Sequence, residues 1–297
     1  MLGPRRGSPS PQFLDLPYPR ATMKRTALAL ALCFASAATL AQAAASKFRW
    51  PHGEKAAVSL AYDDAIDSQL DNAIPALDRA GLHASFYLTL SNASIARRLP
   101  EWRAAAAHGH ELGNHTLFHY CSAKAAGHEW VTPELDLDTV SPARMAAQVK
   151  LANTMLHTID GRTARTFTVP CGDRLAQGGA DYVDLVKDEF VAIKSGDAGV
   201  IPDMATLDPL AVGVTAPEGL TGAQLIQRVK DAAARGTMIN LTFHGIGGDY
   251  ITTSKQAHEE LLAFLAKHRD VYWTDTFLNI MTYVKAQQAA RRAGPTR

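Results

Sequence analysis

The pattern of this chain predicts an α/β fold: a parallel sheet, closed or partly closed into a barrel, in a single domain. Three observations carry that expectation. Apolar runs of strand length alternate with helical patterns over residues 54–285, and no internal repeat or low-complexity linker interrupts the span. The unusual polar residues also fall just after strands, and in barrels of this kind chemistry sits at the C-terminal strand ends.

Taken in order, the first strand is expected over 57–62, Ala-Val-Ser-Leu-Ala-Tyr, followed by a helix over 71–80 with Ile74 and Leu77 at helical spacing. A second strand over 84–88, a helix over 98–107 and a short strand over 111–114 come next. Ser141-Pro142 opens a long helix to about 158, with Pro in the first turn and Met145, Val149 and Leu156 on one side. Strands follow over 165–169 and 190–193, with a helix between them near 182–187. The Gly- and Pro-containing stretch 196–219 is read as mostly loop, with one strand over 210–214. A helix over 220–234 leads to a strand over 238–243. Thr253-Ser254 caps a helix to about 268, with Leu261, Leu262 and Leu265 inward. A last strand over 271–273, a last helix over 275–284 and a flexible tail over 286–297 complete the chain.

Composition is globular: 47% of the 297 residues are hydrophobic and 20% charged. Thirty Lys and Arg against 29 Asp and Glu leave a net charge of +1, so there is no basic field to suit nucleic acid. The N-terminus reads differently. Residues 1–22 are rich in Pro, Arg and Ser without period. Met23-Lys24-Arg25, an apolar run over 27–38 and Ala41-Gln42-Ala43 then form the three parts of a signal peptide over 23–43. Met23 is the expected true start, with 1–22 a non-native extension. The run is too short for a convincing membrane span, so a secreted or periplasmic protein without a stable anchor is expected. Leu32 before Cys33 does not suit a lipoprotein site. Cleavage would leave Cys121 and Cys171, two cysteines that an exported protein permits to pair.

Asp63 and Asp64 follow the first strand directly, and adjacent carboxylates at a strand end can face different directions, one toward a metal and one toward substrate. An isolated Asp-Asp is more often a turn or cap pair. His115 and His119 follow the third strand, and a spacing of four puts two imidazoles on one face of a helical turn, as a divalent ion needs. With Asp64 they make one carboxylate and two imidazoles, a set that suits zinc and also admits cobalt, nickel or manganese. His244 ends the strand over 238–243, placed to protonate a leaving group. The glycines of Gly245-Ile246-Gly247-Gly248 let the backbone pass close to a ligand or form a mobile flap. Trp130, Tyr120 and Tyr250 fall in loops near this mouth, where their rings could stack on a substrate. Trp102 and Trp273 read as core, His108 and His110 as surface or capping residues, and His258 as packed or solvated.

Asp63-Asp64, His115-x-x-x-His119, Val169-Pro170-Cys171-Gly172 and Leu241-Thr242-Phe243-His244 together resemble the ordered motifs of the NodB-homology polysaccharide deacetylases, carbohydrate esterase family four. The resemblance covers about residues 55–283. It implies a deformed (β/α) barrel of about seven parallel strands that removes acetyl groups from N- or O-acetylated polysaccharides with one divalent ion. By the same resemblance Asp63 would be the general base, Asp64, His115 and His119 the metal ligands, and His244 the general acid. Pro170 and Cys171 would border the acetyl pocket, the Cys171 backbone N–H donating to an oxyanion. Both cysteines would line one mouth, so a Cys121–Cys171 disulfide is expected over free thiols or a thiol ligand. Two departures stand out. The family places an Arg, which orients the base, where this chain has Thr168, with Arg165 and Arg174 the nearby substitutes. Its fourth-motif Asp has only Asp197 as a candidate. Two rivals therefore stand beside the deacetylase: an amidase on a small amide, and a sugar-binding protein of the same fold without turnover.

Overall fold

The computed structural model describes residues 48–293 except Ala198. The expected extension over 1–22, the signal peptide over 23–43, residues 294–297 and the side chain of Asp197 lie outside the described residues. Eight parallel strands form one sheet: β1 (Ala56–Asp63), β2 (Ser85–Leu88), β3 (Glu111–Asn114), β4 (Thr166–Thr168), β5 (Ala192–Asp197), β6 (Val212–Val214), β7 (Met238–Phe243) and β8 (Tyr272–Asp275). Seven lie in the order β6-β5-β4-β3-β2-β1-β7. Just past β6, Thr215 pairs in parallel with Leu241. The Thr215 N–H donates to the Asn240 carbonyl and the Thr242 N–H to the Thr215 carbonyl, both at 2.8 Å, which joins the two ends of that path into a barrel.

The deformation lies between β1 and β2. β7 takes one edge of β1 over Ala57–Tyr62. The other edge is divided: β8 pairs with Ala56–Ser59, and β2 only with Ala61–Asp63. The eighth strand therefore wedges into the base of a seven-strand ring.

Strand alternation sorts β1 by face. Val58, Leu60 and Tyr62 join the outer core with helix residues Leu77, Leu225, Val229, Leu261 and Leu265. Ala57, Ser59, Ala61 and Asp63 turn into the lumen, where small side chains leave room for Tyr87 and Lys194. The Tyr87 ring lies across Gly113, where a Cβ would fall 2.4 Å from it, so only glycine fits there.

The helices are α1 (Ile74–Ala80), α2 (Ala93–Arg97), α3 (Leu99–Ala107), α4 (Pro142–Asp160), α5 (Gly222–Arg235), α6 (Lys255–Lys267) and α7 (Phe277–Ala293). A π-helical turn, Gln69–Ala73, leads into α1. Ser141 caps α4 and Ser254 caps α6, each accepting a backbone N–H, and Thr221 with Gln224 forms a capping box on α5. α7 closes the base of the barrel: Phe277, Ile280, Met281 and Val284 pack with Trp50, Ala57, Tyr87 and Met238. Its first turn rests on the lumen, the Leu278 N–H donating to Glu111 Oε2 at 3.0 Å. Among the described residues, no helix is long and apolar enough to cross a membrane.

Several expectations are corrected. The helix near 182–187 is two short 3-10 turns, Val183–Leu185 and Lys187–Glu189, because Val186 between them leaves the helical region at φ −131°. The tail expected from 286 continues α7 to Ala293, where buried Gln288 donates to the Met204 and Leu207 carbonyls. Ala93–Arg97 adds a helix not foreseen. His110 is buried: its Nδ1 accepts the Ala84 N–H at 3.2 Å and its Nε2 lies 3.2 Å from Asp78.

Candidate metal centre and active site

The site is built at the C-terminal ends of β1, β3, β4 and β7. Leaving β1, the chain turns through left-handed backbone at Asp64 (φ 82°) and Ala65 (φ 61°). Asp tolerates that region better than most residues, and the turn is held by the Asp64 N–H donating to the Tyr87 carbonyl at 3.0 Å and by Ser94 Oγ donating to the Ala65 carbonyl. The reversal gives the adjacent carboxylates different surroundings. Asp63 stays on the lumen side, with Oδ1 lacking a hydrogen-bond partner among the described residues. Asp64 reaches the mouth, with Oδ1 3.3 Å from His115 Nε2 and 3.2 Å from His119 Nε2.

The two histidines arrive by a loop and not by the helical turn expected from their spacing. Thr116 (φ 67°) and His119 (φ 57°) are both left-handed. Side chains fix the bend: Asn114 Oδ1 accepts the Thr116 N–H at 2.8 Å, and Thr116 Oγ1 accepts the His119 N–H at 3.0 Å. His115 Nδ1 donates to the Thr168 carbonyl at 2.7 Å, which leaves the Nε2 lone pair free to face Asp64. Cys121 and Cys171 form a disulfide, with Cα atoms 5.9 Å apart, tying this loop to the segment after β4. That segment makes a single 3-10 turn, Pro170–Gly172, with Pro170 buried and Cys171 at φ 55°.

His244 follows β7 with its Nε2 3.9 Å from Asp64 Oδ2 and its Nδ1 without a partner among the described residues. The glycine loop behind it is tied to the segment that follows β1. Ser68 Oγ accepts the Ile246 N–H, Asn72 donates to the Ile246 carbonyl, and a Cβ on Gly245 would lie 2.0 Å from the Gly248 carbonyl oxygen. The loop delivers Tyr250, whose hydroxyl donates to Asp64 Oδ2 at 2.9 Å. Its polar end thus supports a candidate ligand while half the residue stays exposed. Trp130 is also exposed, its ring 6.4 Å from that of His119. Tyr120 is not available to stack on a sugar: it is buried with Leu137, Val140 and Met145.

The donor set fits a divalent ion. One atom each from Asp64, His115 and His119 lie within 4.8 Å of one another, and Asp64 Oδ1 is buried with no hydrogen-bond donor among the described residues. The electrostatics favour positive charge between them. Burial works against the Asp64 charge, but the close approach and charge of His115, with His119 and His244 behind it, hold its carboxyl well below the usual range. Burial pulls His115 down, yet Asp63 and Asp64 raise it on balance. Burial and the His115 charge push His119 down to about 4, so its imidazole is neutral at neutral pH, as a ligand must be.

Neither substitute for the expected arginine reaches Asp63. Arg165 is bound to Asp160 and the Leu112 carbonyl, and Arg174 to Asp181. Sequence reading missed Gln69, fully buried, whose amide donates to the Asp63 and His244 carbonyls and so ties the two catalytic candidates together. It also missed Lys194. A lone Gln or Lys near strand length carries no periodic signal. A lysine in a run as apolar as Val191-Ala192-Ile193 was the one available hint.

A parallel barrel whose mouth carries a carboxylate and two imidazoles offers the kind of donor set that metal-dependent hydrolases use. Residues 44–184 match the family model for polysaccharide deacetylase, a span holding Asp63, Asp64, His115, His119, Pro170 and Cys171. That span is thus similar to the polysaccharide deacetylase family. Among solved structures the chain is similar to a putative polysaccharide deacetylase from Mycobacterium smegmatis, at 15% identity and TM-score 0.56 over 82% of this chain and 95% of that one. It is also similar to the peptidoglycan deacetylase PdaC from Bacillus subtilis, at 16% and 0.51 over 82% and 98%. A CE4 family pseudoenzyme from Bacillus anthracis matches at 16% and 0.50 over 79% and 68%. These likenesses show the fold. A gellan lyase from a Bacillus species is 23% identical over 259 residues, which are 81% of this chain and about a tenth of the length of that relative (10%).

Proposed function

We propose that this chain removes acetyl groups from an N- or O-acetylated polysaccharide or oligosaccharide outside the cytoplasm, with a divalent ion, zinc by preference, held by Asp64, His115 and His119. The observation that carries the reading is the convergence of both Nε2 atoms on Asp64 Oδ1 at 3.3 and 3.2 Å. When bound, the ion supplies Lewis acidity to the acetyl carbonyl and to water. Asp63, buried beside the ligands, takes the proton of the attacking water as general base. The Cys171 backbone N–H, held in place by the disulfide, donates to the developing oxyanion. His244 donates the proton that lets the amine or alcohol leave. Trp130 and the exposed side of Tyr250 offer flat surfaces to a sugar ring. The disulfide supports an oxidising compartment, and with it the expected export.

The test is acetate release from peptidoglycan, chitin oligomers and acetylated xylan by the metal-loaded chain. Asp63→Asn should retain the metal and lose turnover by roughly 10²–10⁴-fold. A variant with a near-normal rate would remove Asp63 as base. No acetate with zinc, cobalt, nickel or manganese would sink the deacetylase reading. One observation favours a second reading, a glycan-binding protein without turnover: Arg165 and Arg174 are both bound to other acids, away from Asp63. Saturable glycan binding with no product would select it.

A further inference from the structure

A second concave surface lies beside the mouth, outside the residues that converge on the metal centre. It encloses about 350 Å³ between the 3-10 turn Pro133–Leu135, the first turn of α4 and the 3-10 turn Gln177–Gly179. That volume falls in the range of roughly 300–1,000 Å³ typical of small-molecule sites. Buried Tyr120 and Val140 form its floor. Glu134, Arg144 and Gln177 stand exposed around it, with the hydroxyls of Thr139 and Ser141 between them.

Backbone bonds stitch this cavity to the metal centre. Tyr120 directly follows His119. Beside it, Cys121 donates its N–H to the Leu135 carbonyl at 3.3 Å and accepts the Leu137 N–H at 2.9 Å, which fixes the Glu134 side. The Cys121–Cys171 disulfide holds the segment that leads to Gln177, whose N–H donates to the Val140 carbonyl at 2.9 Å. Ser141 Oγ accepts the Arg144 N–H at 3.3 Å. The backbone is thus anchored on every side. The Arg144 guanidinium and the Gln177 amide, by contrast, have no hydrogen-bond partner among the described residues.

The lining selects the ligand. Arg144 and Glu134 together leave no net charge, which suits a neutral molecule. Guanidinium, carboxylate and amide are planar groups that can each bond two neighbouring hydroxyls, and Thr139 and Ser141 add hydroxyls of their own. Polar walls over a small apolar floor match a sugar ring, which carries hydroxyls on its rim and C–H groups on its faces. We propose that this cavity is a subsite for a neutral sugar ring of the same glycan chain, beyond the ring that bears the acetyl group. It makes the preferred substrate an oligomer and not a single sugar or a small amide. The inference takes its ligand class from the deacetylase reading, and its test separates the two.

For the zinc-loaded chain, kcat/KM on chitin tetramer should exceed that on chitin dimer by about 10-fold or more. Arg144→Ala combined with Gln177→Ala should lower the tetramer value about 10-fold, the scale of one or two hydrogen bonds to sugar hydroxyls. The loss should fall on KM, with kcat within about threefold. No loss, or a loss carried by kcat, would overturn the subsite. A second measurement needs neither metal nor turnover. In NMR spectra of the metal-free wild type, the Gln177 side-chain amide and the Arg144 Nε–H should shift on adding chitin tetramer or xylotetraose, and less on adding the acidic galacturonate tetramer. No shift with either neutral tetramer would remove the site, and a larger shift with the acidic one would overturn the choice of a neutral ring. Absence of acetate release by the wild type would refute the deacetylase reading, and the NMR signals would still decide whether the cavity takes a sugar.

Discussion

The mouth and the lumen of this barrel handle buried charge in opposite ways. At the mouth, Asp64, His115 and His119 press donor atoms to within 4.8 Å of one another, on backbone that turns left-handed at Asp64 and His119. In the lumen, the buried Lys194 ammonium is held by one hydrogen bond to Thr242 and lies over the ring faces of Tyr87 and Phe277. The first arrangement leaves lone pairs in need of a cation and suits an exchangeable ion. The second has its cation built in, its charge offset by the groups that line the lumen.

Breaking the mouth should have the largest effect. His115→Ala or His119→Ala should weaken zinc binding beyond the roughly 10–100-fold that loss of a supporting hydrogen bond costs, and abolish turnover, with little change in melting temperature. Equilibrium dialysis against zinc reads this directly; retained affinity would disprove the ligand set. The tie between the two mouth loops comes next. The disulfide spans a separation of 50 residues, so replacing Cys121 and Cys171 together with Ser should cost about 4 kcal/mol in denaturant melts of the oxidised chain. A loss below about 1 kcal/mol would mean the loops are held by other contacts.

A buried titratable group outside the barrel gives a control. His258 shares a 2.6 Å hydrogen bond with the Tyr62 hydroxyl, and burial pushes it down to about 4. The unfolded chain takes up this proton first, so the contribution is full above about pH 6.5 and is lost as pH falls toward 4. The loss amounts to about 3 kcal/mol. Urea melts at pH 7 and 4.5 should show a shallower pH slope for His258→Gln; identical slopes would exclude this histidine. The smallest effect is expected at Tyr250→Phe, which removes one donor from Asp64 Oδ2 at a half-exposed position and should weaken zinc about 10-fold. No change in affinity would make that hydrogen bond incidental.

The legible part of the site was the part with spacing and punctuation. Asp63, Asp64, His115, His119 and His244 stand at strand ends, and the strands announce themselves by apolar runs. Gln69 and Lys194 carry no such mark, because their roles come from which residues face them across the barrel. The HxxxH spacing pointed to a helical turn for a related reason. It records how far apart the rings are, whereas hydrogen bonds from Asn114 and Thr116 decide the backbone path between them. The segment over 182–187 looked helical locally and is split at Val186.

By itself, the order of residues determined the alternation of strand and helix, the inward and outward faces of β1 and the kinds of donor available for a metal, since these follow from local period and side-chain chemistry. Ring closure, the wedge of β8, the pairing of Cys121 with Cys171 and the reach of Lys194 across the lumen to Thr242 were decided only in three dimensions. Each joins stretches far apart in the chain, and contacts of that kind leave no periodic trace in the residues that make them.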